Sequence, residues 1–389
     1  MYLVTNEKTE CCGCRACSEI CPRACISFID DEEGFSYPHI DTIQCIKCHL
    51  CEKVCPIYYN NFNEEPDGCV YVGKHNSENV IFNSSSGGAF TAIYEELLKE
   101  NFIVYGAKFD ENLKVIHSAA DNVEGCAEFR KSKYILGDTN GCFSKISKDL
   151  STGKKILFTG TPCQCAALVS FLNIKNISKE NLILIDILCH GGPNQSLFDI
   201  YLQELSWKYN SKVIDFIFRN KKEIDGKVNS RSVEVKFLNG KSVLLNTKRC
   251  AFLKGYHSRL FYRSSCSQCR FAKTQRVSDM TIADAWGVEK IYPELVSLKG
   301  VSLCLFNTEL GKSKLFDITN NVMNLKPVGL KWAYNSNDTL RGPTKFHKKR
   351  DKFFCLLKER GFSFAVNKSL KRSLIRRILG RVKRYLKSC

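Results

Sequence analysis

The chain has 389 residues, 22 of them cysteine, and a formal net charge of +18. It opens without an apolar signal-peptide core, and no apolar run approaches the roughly 18 residues that span a bilayer. We therefore expect a cytoplasmic protein of two or three domains. In that compartment clustered cysteines bind metal or take part in catalysis rather than form disulfides.

Two cysteine runs near the start of the chain each end in Cys-Pro. The first is Cys11-x2-Cys14-x2-Cys17-x3-Cys21-Pro22, and the second is Cys45-x2-Cys48-x2-Cys51-x3-Cys55-Pro56. This spacing is typical of bacterial two-cluster ferredoxins, in which the last cysteine of each run binds the other cluster. A structural zinc site would use four thiols rather than eight.

We therefore predict a two-cluster 4Fe-4S ferredoxin domain over residues 1–60. The ligands of cluster one are assigned as Cys11, Cys14, Cys17 and Cys55. The ligands of cluster two are assigned as Cys45, Cys48, Cys51 and Cys21. Cys12 and Cys25 fall outside the pattern and are interpreted as residues that bind no cluster.

After a polar loop at residues 60–67, strands are predicted at residues 70–73 and 102–109. Between them, Ser84-Ser85-Ser86-Gly87-Gly88 precedes apolar residues at helical spacing. Backbone N–H groups and hydroxyls at such a helix start favour an anion, such as the pyrophosphate of a dinucleotide. An ordinary N-cap loop has the same composition, and the stretch is not a G-x-G-x-x-G fingerprint.

Four more thiols follow at predicted loops or strand ends. Residues 156–158 predict a buried strand, after which Thr161-Pro162 has the N-cap and first residue of a helix. Cys163 lies in the first turn of that helix, where the dipole favours a thiolate; a small buried thiol is the alternative. Cys189 ends the strand predicted at residues 182–188, and Cys266 and Cys269 form a later pair. Four thiols suit one more cubane or, equally, a zinc ion.

Six motifs occur in a fixed order between Tyr71 and Gly287: SSSGGAFTAI, FIVYGAKF, RKSKYI, FTGTPCQ, LCHGGP, and CSQCRF continuing into SDMTIADAWG. In this set the chain resembles the coenzyme F-420 hydrogenase/dehydrogenase beta-subunit family, whose bacterial members commonly add a two-cluster ferredoxin domain. The sequence departs from the usual family pattern at Cys165, where an aliphatic residue is usual, and at Ala283, where a glycine is usual.

The resemblance implies FAD and a third 4Fe-4S cluster, with hydride exchange between the flavin and a deazaflavin or another organic acceptor. The implied ligands of the third cluster are Cys163, Cys189, Cys266 and Cys269. The implied flavin contacts are Ser85, Ser86, Gly87, Gly88, Ser132, Lys133, Tyr134, Thr159 and Gly160. Neither the residues nor the resemblance assigns a catalytic residue.

These patterns predict an α+β or α/β protein, in which the ferredoxin domain precedes a mixed-sheet core, and the resemblance implies that this core binds the flavin. We expect the core in two parts, residues 68–150 and residues 151–335, the second with the third cluster and the substrate pocket. Residues 341–389 carry seventeen Lys and Arg against two acidic residues. They predict a basic helical tail, amphipathic over residues 369–386.

Such a tail favours docking to a membrane surface or to a partner, and a helix packed on its own domain is the alternative. No nucleic-acid-binding motif accompanies the charge. The predicted function is an iron-sulfur flavoprotein oxidoreductase with a protein as electron donor or acceptor. One alternative is a non-catalytic electron-transfer subunit that feeds a partner enzyme, with surface-polysaccharide biosynthesis as a setting. Another is a zinc-stabilised binding protein.

Overall fold

The computed structural model describes residues 1–371, apart from residues 67, 225–226, 229–231 and 296–298. The amphipathic helix predicted at residues 369–386 therefore lies almost wholly outside the described residues. No helix within the described part of the chain is long and apolar enough to cross a membrane.

The strands are numbered in chain order. They are β1 (Ile26–Asp30), β2 (Ser36–Ile40), β3 (Val70–His75), β4 (Phe102–Phe109), β5 (Val115–Ala120), β6 (Lys155–Gly160), β7 (Leu182–Ile187), β8 (Val213–Asn220), β9 (Glu223–Ile224), β10 (Lys227–Val228), β11 (Ser232–Phe237), β12 (Ser242–Leu245), β13 (Met280–Asp284), β14 (Ser302–Phe306) and β15 (Met323–Pro327).

The α-helices are numbered in the same way. They are α1 (Tyr2–Thr5), α2 (Ala16–Glu19), α3 (Leu50–Lys53), α4 (Glu78–Phe82), α5 (Ala89–Lys99), α6 (Val123–Ala127), α7 (Cys142–Ser151), α8 (Pro162–Ile174), α9 (Gln195–Lys208), α10 (Ala251–His257), α11 (Phe316–Val322), α12 (Leu330–Ser336), α13 (Arg350–Arg360) and α14 (Phe362–Leu370).

A mixed sheet forms the centre of the core, with strand order β15-β3-β14-β13-β7-β6-β4-β5. Its central strands β13, β7, β6 and β4 run parallel, and the outer strands pair antiparallel. Parallel strands are covered on both faces, which explains the continuous apolar runs of β6 and β7. The predicted mixed α/β fold is confirmed. Strands from both predicted parts of the core share this one sheet.

A second, three-stranded sheet has the order β12-β11-β8. The Asn239-Gly240 turn between β11 and β12 places Gly240 at φ +80°, which glycine adopts without strain. Aromatic rings fill the space between this sheet and the helices, as in the contact of Phe198 with Phe216. Helices α13 and α14, which belong to the predicted tail, bury Phe353 and Phe362 in the same cluster. This first part of the tail therefore packs on the core.

Candidate redox centres

The two cysteine runs repeat one backbone conformation as well as one spacing. Gly13 and its counterpart Lys47 both have positive φ, at +76° and +54°, and so do Arg15 and its counterpart His49, at +59° and +58°. Each run then enters a one-turn helix, α2 or α3. Because positive φ is uncommon for residues other than glycine, this repetition shows that both runs wrap the chain in the same way.

The thiols of cluster one come together as the spacing predicts. Cys14 and Cys17 interact electrostatically with Cys55 from the second run. Burial and the neighbouring thiols raise the pKa of Cys55 to about 11, and they raise the pKa of Cys17 as well. Thiolates are therefore disfavoured at this site unless a cationic group is bound. The iron of a 4Fe-4S cluster is such a group, and the four converging thiols are the donors it needs.

The four ligands assigned to cluster two line one smaller cavity at the outer end of the ferredoxin domain. Cys48 is exposed there. Cys25, interpreted from the sequence as a residue that binds no cluster, lies at the same cavity, with its Sγ 3.4 Å from Cys21 Sγ. Five thiols therefore surround this site, one more than a cubane binds.

The four core cysteines also converge, at a cavity between the ferredoxin domain and the large sheet. They are Cys163, Cys189, Cys266 and Cys269. Cys163 follows β6 and Cys189 follows β7, and these strands are parallel neighbours. The carboxyl ends of parallel strands meet at one edge of a sheet, which brings both thiols to this cavity.

The helix start that carries Cys163 has the cap that the sequence predicts. The side chains of Thr161 and Gln164 form a capping box at the start of α8, with Pro162 in the first position. Cys12 is unexpected here, because its thiol lines the core cavity within hydrogen-bonding reach of Cys163. The Cys12 thiol and burial raise the pKa of Cys163 well above its ordinary value. A bound cationic group would restore the thiolate form.

Every cysteine within the described residues is a free thiol. No three His, Cys, Asp or Glu side chains in this part of the chain converge closely enough to hold a single metal ion. A cubane takes its ligands at separate irons rather than around one ion, so this finding leaves the cysteine sets compatible with clusters.

A larger cavity, of about 510 Å³, adjoins the core cysteines. Residues of the two motif loops that follow β6 and β7 line both cavities, among them Thr161, Cys189 and His190. The residues implied as flavin contacts that line the larger cavity are Ser85, Ser86, Gly88, Ser132, Lys133, Tyr134, Thr159 and Gly160. The volume lies within the usual range for small-molecule sites, roughly 300–1,000 Å³.

Gly87 is the implied flavin contact that does not line this cavity. A Cβ at Gly87 would lie 2.4 Å from the Gly73 carbonyl oxygen and 2.6 Å from the Ser302 amide nitrogen. The glycine is therefore required by close packing of its loop against β3 and β14.

Hydrogen bonds fix the serine-glycine loop at the cavity wall. Ser85 Oγ accepts a 2.6 Å hydrogen bond from the Ser132 amide. Ser86 Oγ donates to the Val301 carbonyl at 2.7 Å, and the buried Lys221 Nζ donates to the Ser86 carbonyl at 3.0 Å. Helix α5 begins directly after the loop, and its first residues line the cavity. Its N-terminal N–H groups are suited to an anionic ligand.

The structure also shows how charged residues at the larger cavity are paired. Arg219 on β8 pairs with Asp284 on β13 at 2.6 Å, and both line the cavity. Asp338 lies 3.3 Å from His190 Nδ1. The hydrogen bond with His190, followed by the charges of His190 and Arg259, lowers the pKa of Asp338 to about 2. These partners are far apart in sequence, so only the fold brings them together.

His117 makes the stability of the folded chain dependent on pH. Burial of the imidazole lowers its pKa to about 4, so the folded chain holds it neutral. The unfolded chain takes up this proton below about pH 6.5, so the stabilising effect is full above that pH and is lost as the pH falls toward 4. We expect the free energy of unfolding to fall less in His117→Gln than in the wild type between about pH 7.5 and 5.5. Urea unfolding at both pH values measures this, and equal falls would contradict it.

Comparisons with known proteins give two domain matches. Residues 10–58 match the 4Fe-4S dicluster domain, and residues 153–329 match the C-terminal domain of the coenzyme F420 hydrogenase/dehydrogenase beta-subunit family. Among solved structures, the chain is similar to a chain of the F420-reducing NiFe hydrogenase complex from Methanosarcina barkeri. The identity is 14%, with 73% of this chain and 91% of that chain covered and a TM-score of 0.46. No curated protein sequence matches.

Proposed function

Because this chain joins a 4Fe-4S dicluster domain to a domain of the coenzyme F420 hydrogenase/dehydrogenase beta-subunit family, we propose that it is an iron-sulfur flavoprotein oxidoreductase. The cysteine sets described above would hold three 4Fe-4S clusters, and the residues of the larger cavity would hold FAD. These groups would supply single-electron and hydride chemistry, with a deazaflavin or another small organic acceptor as the partner in hydride exchange and a protein as donor or acceptor of the single electrons.

The observation that carries this proposal is the shared wall of the two core cavities. Cys189 and His190 line both the cysteine cavity and the 510 Å³ cavity. A cluster bound by Cys163, Cys189, Cys266 and Cys269 would thus lie directly beside a ligand in the larger cavity. The neighbouring positions suit transfer of electrons from one cofactor to the other.

The three cysteine sets support an ordered path through the chain. Cluster two would be held at the outer end, where the exposed Cys48 would make it accessible to a protein partner. Cluster one would be held between cluster two and the core, because Cys12, next to the assigned ligand Cys11, contacts Cys163. The core cysteines then adjoin the larger cavity. An electron from the partner would travel inward in this order, and the reverse direction uses the same path.

The residues of the larger cavity suit a dinucleotide flavin. FAD supplies the conversion between single-electron and hydride chemistry when bound. The start of α5 offers backbone N–H groups for its pyrophosphate, and the Ser85–Ser132 hydrogen bond holds the two lining loops together. Lys133 Nζ donates to the Glu128 and Arg130 carbonyls at 2.7 and 2.8 Å, so these hydrogen bonds hold the lysine side chain in the lining of the larger cavity.

The alternative function is a non-catalytic electron-transfer subunit, for which surface-polysaccharide biosynthesis is one setting. The organised cavity beside the core cysteines favours the oxidoreductase. We propose a cytoplasmic location for the chain. The tail beyond residue 371 would provide the contact with a membrane surface or a partner.

Purification without oxygen, followed by measurement of iron, zinc, sulfide and flavin per chain, tests the proposal. We expect about twelve irons, from three clusters of four, together with one flavin. About eight irons without flavin would leave only the ferredoxin domain and favour the electron-transfer subunit. Zinc with little iron at the core site would favour the zinc alternative.

A further inference from the structure

Arg263 connects the cysteines of cluster one with the core cavity. It precedes Cys266 and lines the cavity that holds the core cysteines. Its backbone N–H donates to the Gly192 carbonyl at 3.0 Å. Its side chain extends the other way, into the ferredoxin domain, where it reaches Cys11.

The guanidinium of Arg263 makes three hydrogen bonds there. Nε donates to the Cys11 carbonyl at 2.6 Å, and one terminal nitrogen donates to Cys11 Sγ at 3.2 Å and to the Ser36 carbonyl at 2.9 Å. The guanidinium carbon lies 4.2 Å from the centre of the Tyr37 ring. Arg263 is only 3% exposed, so a full positive charge is held in place against the sulfur assigned to cluster one.

The chain leaves room for this contact at Gly13. A Cβ on Gly13 would lie 3.2 Å from the Arg263 guanidinium carbon, closer than most Cβ atoms approach a neighbour. Gly13 also has φ +76°, so any other residue there would be strained as well as crowded. The first run is thus shaped to accept the arginine.

Among the residues that the structure describes, none makes an equivalent contact at the matching position of the second run. Cys45 corresponds to Cys11, and its Sγ accepts a 3.4 Å hydrogen bond from the Lys47 amide. This donor is a neutral backbone group on the exposed side of the domain. Of the two matching sulfurs, the one on cluster one therefore has the charged, buried donor.

We propose that Arg263 is a positioning residue that raises the reduction potential of cluster one above that of cluster two, which favours movement of electrons inward to the core. This inference rests on the proposed function only in that Cys11 binds cluster one. Reduction adds one electron and no covalent bond changes; the electron gained by cluster one is the one lost by cluster two. Hydrogen bonds to sulfur and net charge set cluster potentials, and a charged donor in a poorly hydrated site acts strongly.

The test is a potentiometric titration of the full chain, purified without oxygen and followed by electron paramagnetic resonance. Cluster one is identified by the signal that Cys14→Ser removes. In Arg263→Gln, we expect the ratio of reduced to oxidised cluster one at a fixed potential to fall about tenfold, which corresponds to about 59 mV for one electron. Arg263→Lys keeps the charge and should show a smaller fall. Cluster two should not change in either variant.

Arg270→Gln is the matched control. Arg270 crosses the same domain junction, but its hydrogen bonds go to the Ile57 carbonyl and the Asn60 side chain. An unchanged cluster-one ratio in Arg263→Gln, or an equal fall in Arg270→Gln, would overturn the inference. So would loss of cluster-one iron from both Arg263 variants, since Arg263 would then serve assembly. The iron and flavin contents of the wild-type chain judge the proposed function separately.

Discussion

Replacing Cys163 with alanine is expected to remove about four of about twelve irons per chain. Cys163, in the first turn of α8, is one of the four thiols assigned to the core cluster, and a cubane with three ligands is readily lost. The ferredoxin clusters should stay, because their eight assigned cysteines are untouched. Iron and sulfide analysis, together with the low-temperature electron paramagnetic resonance spectrum, measures the loss. Flavin content shows whether the larger cavity is still formed.

Cys165→Ala is the matched control for this experiment. Cys165 lies two residues further along α8, is fully buried, and directs its thiol to the Ile185 carbonyl at 3.9 Å. Its replacement should leave iron unchanged. Cys12→Ala should also keep the iron, because four ligands remain at the core site. Full iron in Cys163→Ala, or the same loss in Cys165→Ala, would contradict the assignment of Cys163 as a cluster ligand.

Replacing Arg276 with methionine is expected to lower the free energy of unfolding by about 3–5 kcal/mol. One terminal nitrogen of Arg276 lies 3.0 Å from Asp186 Oδ2, and both side chains are almost completely buried. Asp186 is at the end of β7, just before Cys189. Without Arg276 the buried carboxylate loses the cation that compensates its charge, which is costly. The midpoint of urea unfolding, measured without oxygen, reports the effect.

Two further variants show whether the charge is the cause. The double variant Arg276→Met, Asp186→Leu removes both charges and should be more stable than Arg276→Met alone. Lys99→Met breaks the exposed ion pair with Glu96 and should change stability by less than about 1 kcal/mol. A double variant as unstable as the single one would assign the effect to other contacts of Arg276, such as its hydrogen bond to the Phe271 carbonyl.

The sequence by itself determined the features whose signals are local. The ferredoxin domain is identified by two cysteine runs. Within each run the cysteines are separated by two or three residues, and this spacing is itself the signal. Helix α8 begins where Thr161 and Pro162 predict it, because capping depends only on neighbouring residues. The apolar runs of β6 and β7 predicted buried strands, since burial on both faces removes any alternation.

Only the tertiary structure decided which distant groups meet. Strand β3 pairs with β14 and β15, more than two hundred residues later, and no local pattern encodes that choice, because it depends on how the whole sheet is covered. The same assembly places Cys12 beside Cys163 and Arg263 against Cys11. Spacing marks a cysteine as a candidate ligand, but packing decides which cavity its sulfur enters and which charge lies against it.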